Sequence, residues 1–235
     1  MATPVSLILA IDAASPLCSA ALWDTAAGAA RGSTERQGAT GEAALLPRMV
    51  ADLLAENGLT AADLSAIAVN VGPGSFTGLR ASIALAQGLA LGSGLTVVPV
   101  TIAEALRSGL AAESNAALIW CALDARQGRL FLHQGGAPAD WSVVQLASPP
   151  LPDRPLILTG DAAEPLGAAL AAAGATVSVS QAQQSHARLV AQAAARRLAD
   201  QLPPLTATPL YIDPPRALLP RGGLRPPPQG WSMPQ

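Results

Sequence analysis

Two features of this chain could carry chemistry: a glycine-rich turn and a pair of strand-end aspartates. Residues 69–80 read VNVGPGSFTGLR and lie between a strand-like run and a helix-like run. Helix amides and the helix dipole can hold an anion at such a junction. Gly72 and Gly74 permit positive φ, Pro73 stiffens the turn, and Ser75 is a good N-cap. A P-loop needs a lysine after its last glycine, and none is present. A dinucleotide fingerprint is also excluded, because Gly78 falls one residue late. Two readings remain: a tight, well-capped strand–helix turn, which the physics favours, and an anion site. The aspartates, Asp12 and Asp124, each end an apolar run, VSLILAID and ALIWCALD.

Other chemistries lack their residues. All basic side chains are arginine, so there is no phosphate-loop, Schiff-base or general-base lysine. His133 and His186 lie far apart and no HxxxH occurs, which argues against a histidine-based metal site. Cys18 and Cys121 sit singly in apolar runs and read as buried thiols. The formal charge of −2 gives no global basic field to gather nucleic acid. With no signal-like N-terminus and no membrane-length apolar run, the expected location is the cytoplasm.

The elements that must position these residues follow from periodicity. Strands are expected at residues 5–12, 17–24, 29–35, 64–71 and 95–100, with helices at 42–57 and 75–91. The order βββαβαβ is that of an RNase H-like α/β lobe. The second helix carries Gly78, Ala81, Ser82, Ala84, Ala86, Gly88, Ala90 and Gly92. Such a small-residue surface suits either another helix or the chain's own sheet. The second half opens similarly: Leu123, Asp124 and Ala125 align with Ile11, Asp12 and Ala13. A strand at 129–133, another at 155–159 and helices at 162–173 and 185–200 follow, so the halves read as two related lobes. The expected division is 1–102, a smaller lobe at 103–212, and a Pro/Gly-rich tail at 213–235.

The strings ILAIDAAS, CSAALWD, VGPGSFTGLRASIALAQGLALG and PVTIAEAL together resemble the TsaB (YeaZ-like) family. That family lies in the Gcp/glycoprotease-like branch of the actin–Hsp70–sugar kinase superfamily. Weaker similarity runs through LDARQGRLF, LTGDAAEPL and PLYIDPP, leaving only the tail uncovered. The resemblance implies two RNase H-like lobes in an actin-like arrangement. It implies a non-catalytic subunit needed by TsaD, which transfers threonylcarbamoyl to the adenosine beside the anticodon in tRNA. The ATPase TsaE joins the assembly, tRNA is engaged indirectly, and a homodimer is expected when the chain is alone. No cofactor of its own is implied, ATP or ADP entering only within the TsaD–TsaE complex.

The resemblance also places partner contacts on the two first-lobe helices, and helical spacing centres that face on Leu45, Met49, Leu53, Phe76, Leu79 and Ile83, some of which must also serve the chain's own core. Asp12 and Asp124 fall at vestigial phosphate-loop positions, and no catalytic or metal residue is nominated. Ala13 stands where the family usually has Thr, GATGE where a His precedes the first helix, and Ile212-Asp213 where an Arg follows a Tyr-Leu pair. The rival readings are a divergent ATPase or kinase and a glycoprotease of the same superfamily. The first needs a glycine beside Asp12, where Ala13 and Ala14 follow. The second needs a metal or an activated nucleophile.

Overall fold

The computed structural model describes residues 6–38, 42–110 and 118–213. The first sheet opens with β1 (Leu7–Asp12), β2 (Leu17–Asp24) and β3 (Ala29–Gln37), paired antiparallel. After the helix α1 (Leu46–Glu56) comes β4 (Ala66–Gly72), then the helix α2 (Phe76–Ser93) and β5 (Thr96–Thr101). β4 lies parallel to β1 and β5 parallel to β4, giving the order β3-β2-β1-β4-β5. Every residue of β1 and β4 is buried, as continuous apolar central strands require.

The second sheet repeats the plan. β6 (Leu118–Asp124), β7 (Arg129–His133) and β8 (Ser142–Gln145) are antiparallel. β9 (Leu156–Thr159) and β10 (Val177–Val179) run parallel to β6 and are separated by the helix α4 (Ala163–Ala172). The order β10-β9-β6-β7-β8 is that of the first sheet read from the other edge. The expected pseudo-repeat is therefore present, with β6 equivalent to β1 and α4 to α2. Between β8 and β9 no helix corresponds to α1, which makes the second lobe the smaller.

Three apolar layers hold the sheets. Leu9, Ile11 and Leu22 pack under α1 and α2 through Leu46, Leu53 and Leu79. On the opposite face Ile8, Ala10, Ala68 and Val100 meet α3 (Ile102–Ser108) and α5 (Ala187–Leu198). In the second lobe Trp120, Leu132 and Leu158 pack on α4 through Leu166 and Leu170. The division at 102/103 thus separates the sheets but not the helices, because α5 crosses back onto β1, β2, β4 and β5. A partly buried ion pair between Arg197 and Glu104 fastens α5 to α3.

Besides a single 3-10 turn at Ala61–Asp63, three elements escaped the sequence reading: α3, β8 and β10. The first had a legible signal, because Thr101 and Glu104 form a reciprocal capping box. β8 and β10 are three- or four-residue edge strands with largely exposed side chains, too short for alternation to register. The expected helix at 42–57 opens with a 3-10 turn, Glu42–Leu45, and becomes α-helical where Pro47 occupies its first turn. Residues 214–235, nearly all of the expected tail, lie outside the described residues.

Candidate functional site

Asp12 is wholly buried at the end of β1. Its carboxylate accepts the Ala14 amide at 2.9 Å and Asn70 Nδ2 at 3.1 Å, and the Ser185 hydroxyl also donates to it. Asn70 in turn accepts the Gly72 amide at 2.9 Å and donates to Ser185 at 3.2 Å. Ser19, opposite Asp12 on β2, accepts the Ala187 amide at 2.8 Å. The group is a closed polar hub tying β1, β2 and β4 to the start of α5. Burial pushes the Asp12 carboxyl upward, against the hydrogen bonds from Ser185, Ala14 and Asn70 that pull it down.

The glycine-rich turn serves the same junction. Ser75 caps α2 by accepting the Gly78 amide at 3.2 Å, while its own amide donates to the Ala14 carbonyl at 2.7 Å. A Cβ on Gly74 would sit 2.2 Å from the Ala14 oxygen, and one on Gly78 2.0 Å from the Ala13 oxygen. The glycines are there because the β1–β2 loop lies against the first turn of α2. Backbone carbonyls therefore stand where a bound anion would have to approach, which realises the capped-turn reading of GPGSFTG.

Asp124 is exposed at the end of β6. Its carboxylate accepts the Arg126 amide at 2.7 Å, and its own amide donates to Asp161 at 2.9 Å. Arg126, Gln127 and Gly128 all adopt left-handed φ, of 64°, 58° and 71°, which is uncommon for the first two. The Asp-x-Arg pair thus closes the turn through the backbone. This turn and the Ala13–Ser15 loop face each other across an interlobe cleft of about 920 Å³, with Phe76 and Phe131 in its walls. Among the described residues no group of three or more His, Cys, Asp or Glu side chains could hold a metal ion. No described helix is long and apolar enough to cross a membrane.

The outward side of α2 is the remaining candidate surface. Thr77, Ala84, Gly88, Leu91 and Gly92 are exposed. A Cβ on Gly88 or Gly92 would meet nothing within 4 Å. Glycine inside a helix costs about 0.5–1 kcal/mol relative to alanine, and internal packing gives no reason for it at these two positions. The small residues therefore divide: Gly78 and Ala86 serve the chain's own core, whereas Ala84, Gly88 and Gly92 face outward.

Comparisons with known proteins bear on this surface. The family described as TsaD, tRNA N6-adenosine threonylcarbamoyltransferase, matches residues 40–140. The tRNA threonylcarbamoyladenosine biosynthesis protein TsaB of Escherichia coli (strain K12) is 39% identical over 124 residues, 53% of this chain and 52% of its own. Over that stretch the chain is similar to TsaB. The TsaB of Haemophilus influenzae is 34% identical over 127 residues, 54% of this chain and 52% of its own. The chain thus spans about half the length of the curated TsaB relatives it matches. Two solved structures share the fold: YeaZ from Pseudomonas aeruginosa (TM-score 0.65) and a protein from that organism with similarity to peptidase YeaZ (TM-score 0.67). Each is 24% identical and is covered in full by 88% of this chain.

The TsaB resemblance nominated six side chains for partner contact, and the structure divides them. Met49, Leu53, Leu79 and Ile83 are buried in the first-lobe core, because the apolar stripe of each helix is the one that packs on the sheet. Leu45 and Phe76 are exposed. Sequence reasoning missed Asn70 and Ser185 beside Asp12, and Tyr211 beside Phe76. Ser185 is 173 positions from Asp12, so no local signal could have found it.

Proposed function

We propose that this chain is the non-catalytic subunit that a TsaD-type transferase needs to place threonylcarbamoyl on the adenosine next to the anticodon in tRNA. The exposed face of α2 carries the reading. Its outward glycines, Gly88 and Gly92, have no internal use, and they lie in a helix whose sequence is TsaB-like. Small residues on a helix let a second helix approach closely. Exposed Leu45, in the 3-10 turn before α1, and Arg48 and Ala51 on α1 extend the surface. TsaD docks here, TsaE joins the pair, tRNA is engaged through the partners, and a homodimer uses the same face when TsaD is absent.

The chain has no catalytic role in this reading and works in the cytoplasm. The Ala14 carbonyl takes the Ser75 amide at the start of α2, which supports assigning any ATP or ADP to the complex with TsaD and TsaE. The test is threonylcarbamoyl transfer by the cognate TsaD with and without this chain, together with co-elution of the parent chain and an Ala84→Glu variant. Transfer should require the parent chain, and Ala84→Glu should fold yet fail to co-elute. Transfer by TsaD that is indifferent to this chain would overturn the reading.

A further inference from the structure

One exposed aromatic cluster is built jointly by α2 and the carboxy-terminal segment. The Phe76 and Tyr211 rings stack with centroids 5.4 Å apart. The Arg80 guanidinium lies 3.9 Å from the Phe76 ring centre, and its Nε donates to the Tyr211 hydroxyl at 2.9 Å. The segment bearing Tyr211 is held in place from both sides. The Leu210 amide donates to the Val71 carbonyl at 2.7 Å, and Gln87 Nε2 donates to the Ala207 carbonyl at 3.1 Å. Despite these contacts Phe76 stays 47% and Tyr211 39% exposed.

Two observations say what the cluster is for. Helical spacing sets Phe76, Arg80 and Gln87 along one flank of the outward arc of α2, with Ala84 and Leu91 at its middle and Gly88 and Gly92 beyond. The cluster therefore continues the face assigned to the partner. Arg80 also has no carboxylate partner among the described residues, and its Nε is already engaged, so its terminal nitrogens are the groups left for an acceptor. Aromatic rings and arginine are the side chains that dominate interface cores, and rings already fixed by mutual contact lose little freedom on binding.

We propose that Phe76, Arg80 and Tyr211 anchor the partner-binding face, receiving an apolar side chain on the rings and a carboxylate at Arg80 from the same TsaD-type subunit. The carboxy-terminal segment is then part of the interface. This rests on the partner reading above, and the experiment separates the two. Full-length variants are titrated against the cognate TsaD, with far-UV circular dichroism and thermal unfolding as folding controls.

Phe76→Ala and Tyr211→Ala should each weaken association at least about tenfold, whereas Tyr211→Phe, which keeps the ring, should stay within about threefold of the parent. Arg80→Glu, at an exposed position, should fold and lose about tenfold or more by opposing the partner carboxylate. If Ala84→Glu abolishes binding while Phe76→Ala and Arg80→Glu bind like the parent, the anchor is wrong and the partner reading stands. If Ala84→Glu also binds normally, the partner reading itself fails. If Tyr211→Ala unfolds, Phe76→Ala and Arg80→Glu decide the matter. Loss of self-association with intact TsaD binding would make the occupant a second copy and overturn the proposal.

Discussion

The two lobes begin with the same device and put it to opposite use. In each, an aspartate ends the first strand and accepts the amide two residues on, Ala14 in one lobe and Arg126 in the other. Asp12 is then enclosed by Asn70 and by Ser185 at the entry to α5, whereas Asp124 is left facing the cleft. The local pattern therefore specifies a turn, and what packs above it decides whether the turn becomes a structural hub. Among the described residues no buried side chain hydrogen-bonds the Asp124 carboxylate as Ser185 does that of Asp12.

The contrast can be broken most directly at Asp12. Asp12→Ala strands the donors of Ala14, Asn70 and Ser185 in a buried site and should cost about 3 kcal/mol or more in urea unfolding. A loss below about 1 kcal/mol would make the two aspartates equivalent. Next in size, Gly78→Ala pushes a methyl into the Ala13 carbonyl and should destabilise by about 2–3 kcal/mol, since neither backbone can yield without moving α2. Gly88→Ala on the same helix should instead raise the stability of the isolated chain by about 0.5–1 kcal/mol, because its Cβ enters open space. Smallest of all, Asp124→Ala loses one exposed turn bond and should change stability by no more than about 1 kcal/mol.

A pH series sharpens the same comparison. The folded Asp12 carboxyl titrates above its ordinary 3.8 because burial disfavours the charge. Its stabilising contribution is complete below the unfolded value and is lost as pH rises through the folded one. Relative to Asp12→Asn, the parent chain should therefore gain stability on acidification from neutral pH toward about pH 4. A difference that is flat with pH, measured by denaturant unfolding, would show that burial does not govern this group.

Much of this contrast was beyond the sequence. The strands ending in Asp12 and Asp124, the capped turn at Ser75 and the repeated lobe opening were legible because each depends on residues within a few positions of one another. Burial of Met49, Leu53, Leu79 and Ile83 was not separable from partner contact, since a helix shows the same apolar stripe in either case. The Asp12 hub and the Tyr211 contact depend on segments more than a hundred positions away. Gly88 and Gly92 were seen as small residues from the start. Only the empty space around them distinguished them from Gly78, whose reason is the Ala13 carbonyl.

The return of α5 to the first sheet means that the first lobe cannot be completed from its own stretch of chain. Residues 6–110 alone would leave the face bearing Ile8, Ala10, Ala68 and Val100 without its α5 cover and Asp12 without Ser185. The first lobe closes only with the stretch from Ser185 to Leu198, which lies beyond the whole of the second sheet. The aromatic cluster on α2 likewise needs Tyr211, from beyond α5. A fragment cut before α5 would therefore lack the cover of its first sheet, the Ser185 partner of Asp12 and the ring that stacks on Phe76 all at once.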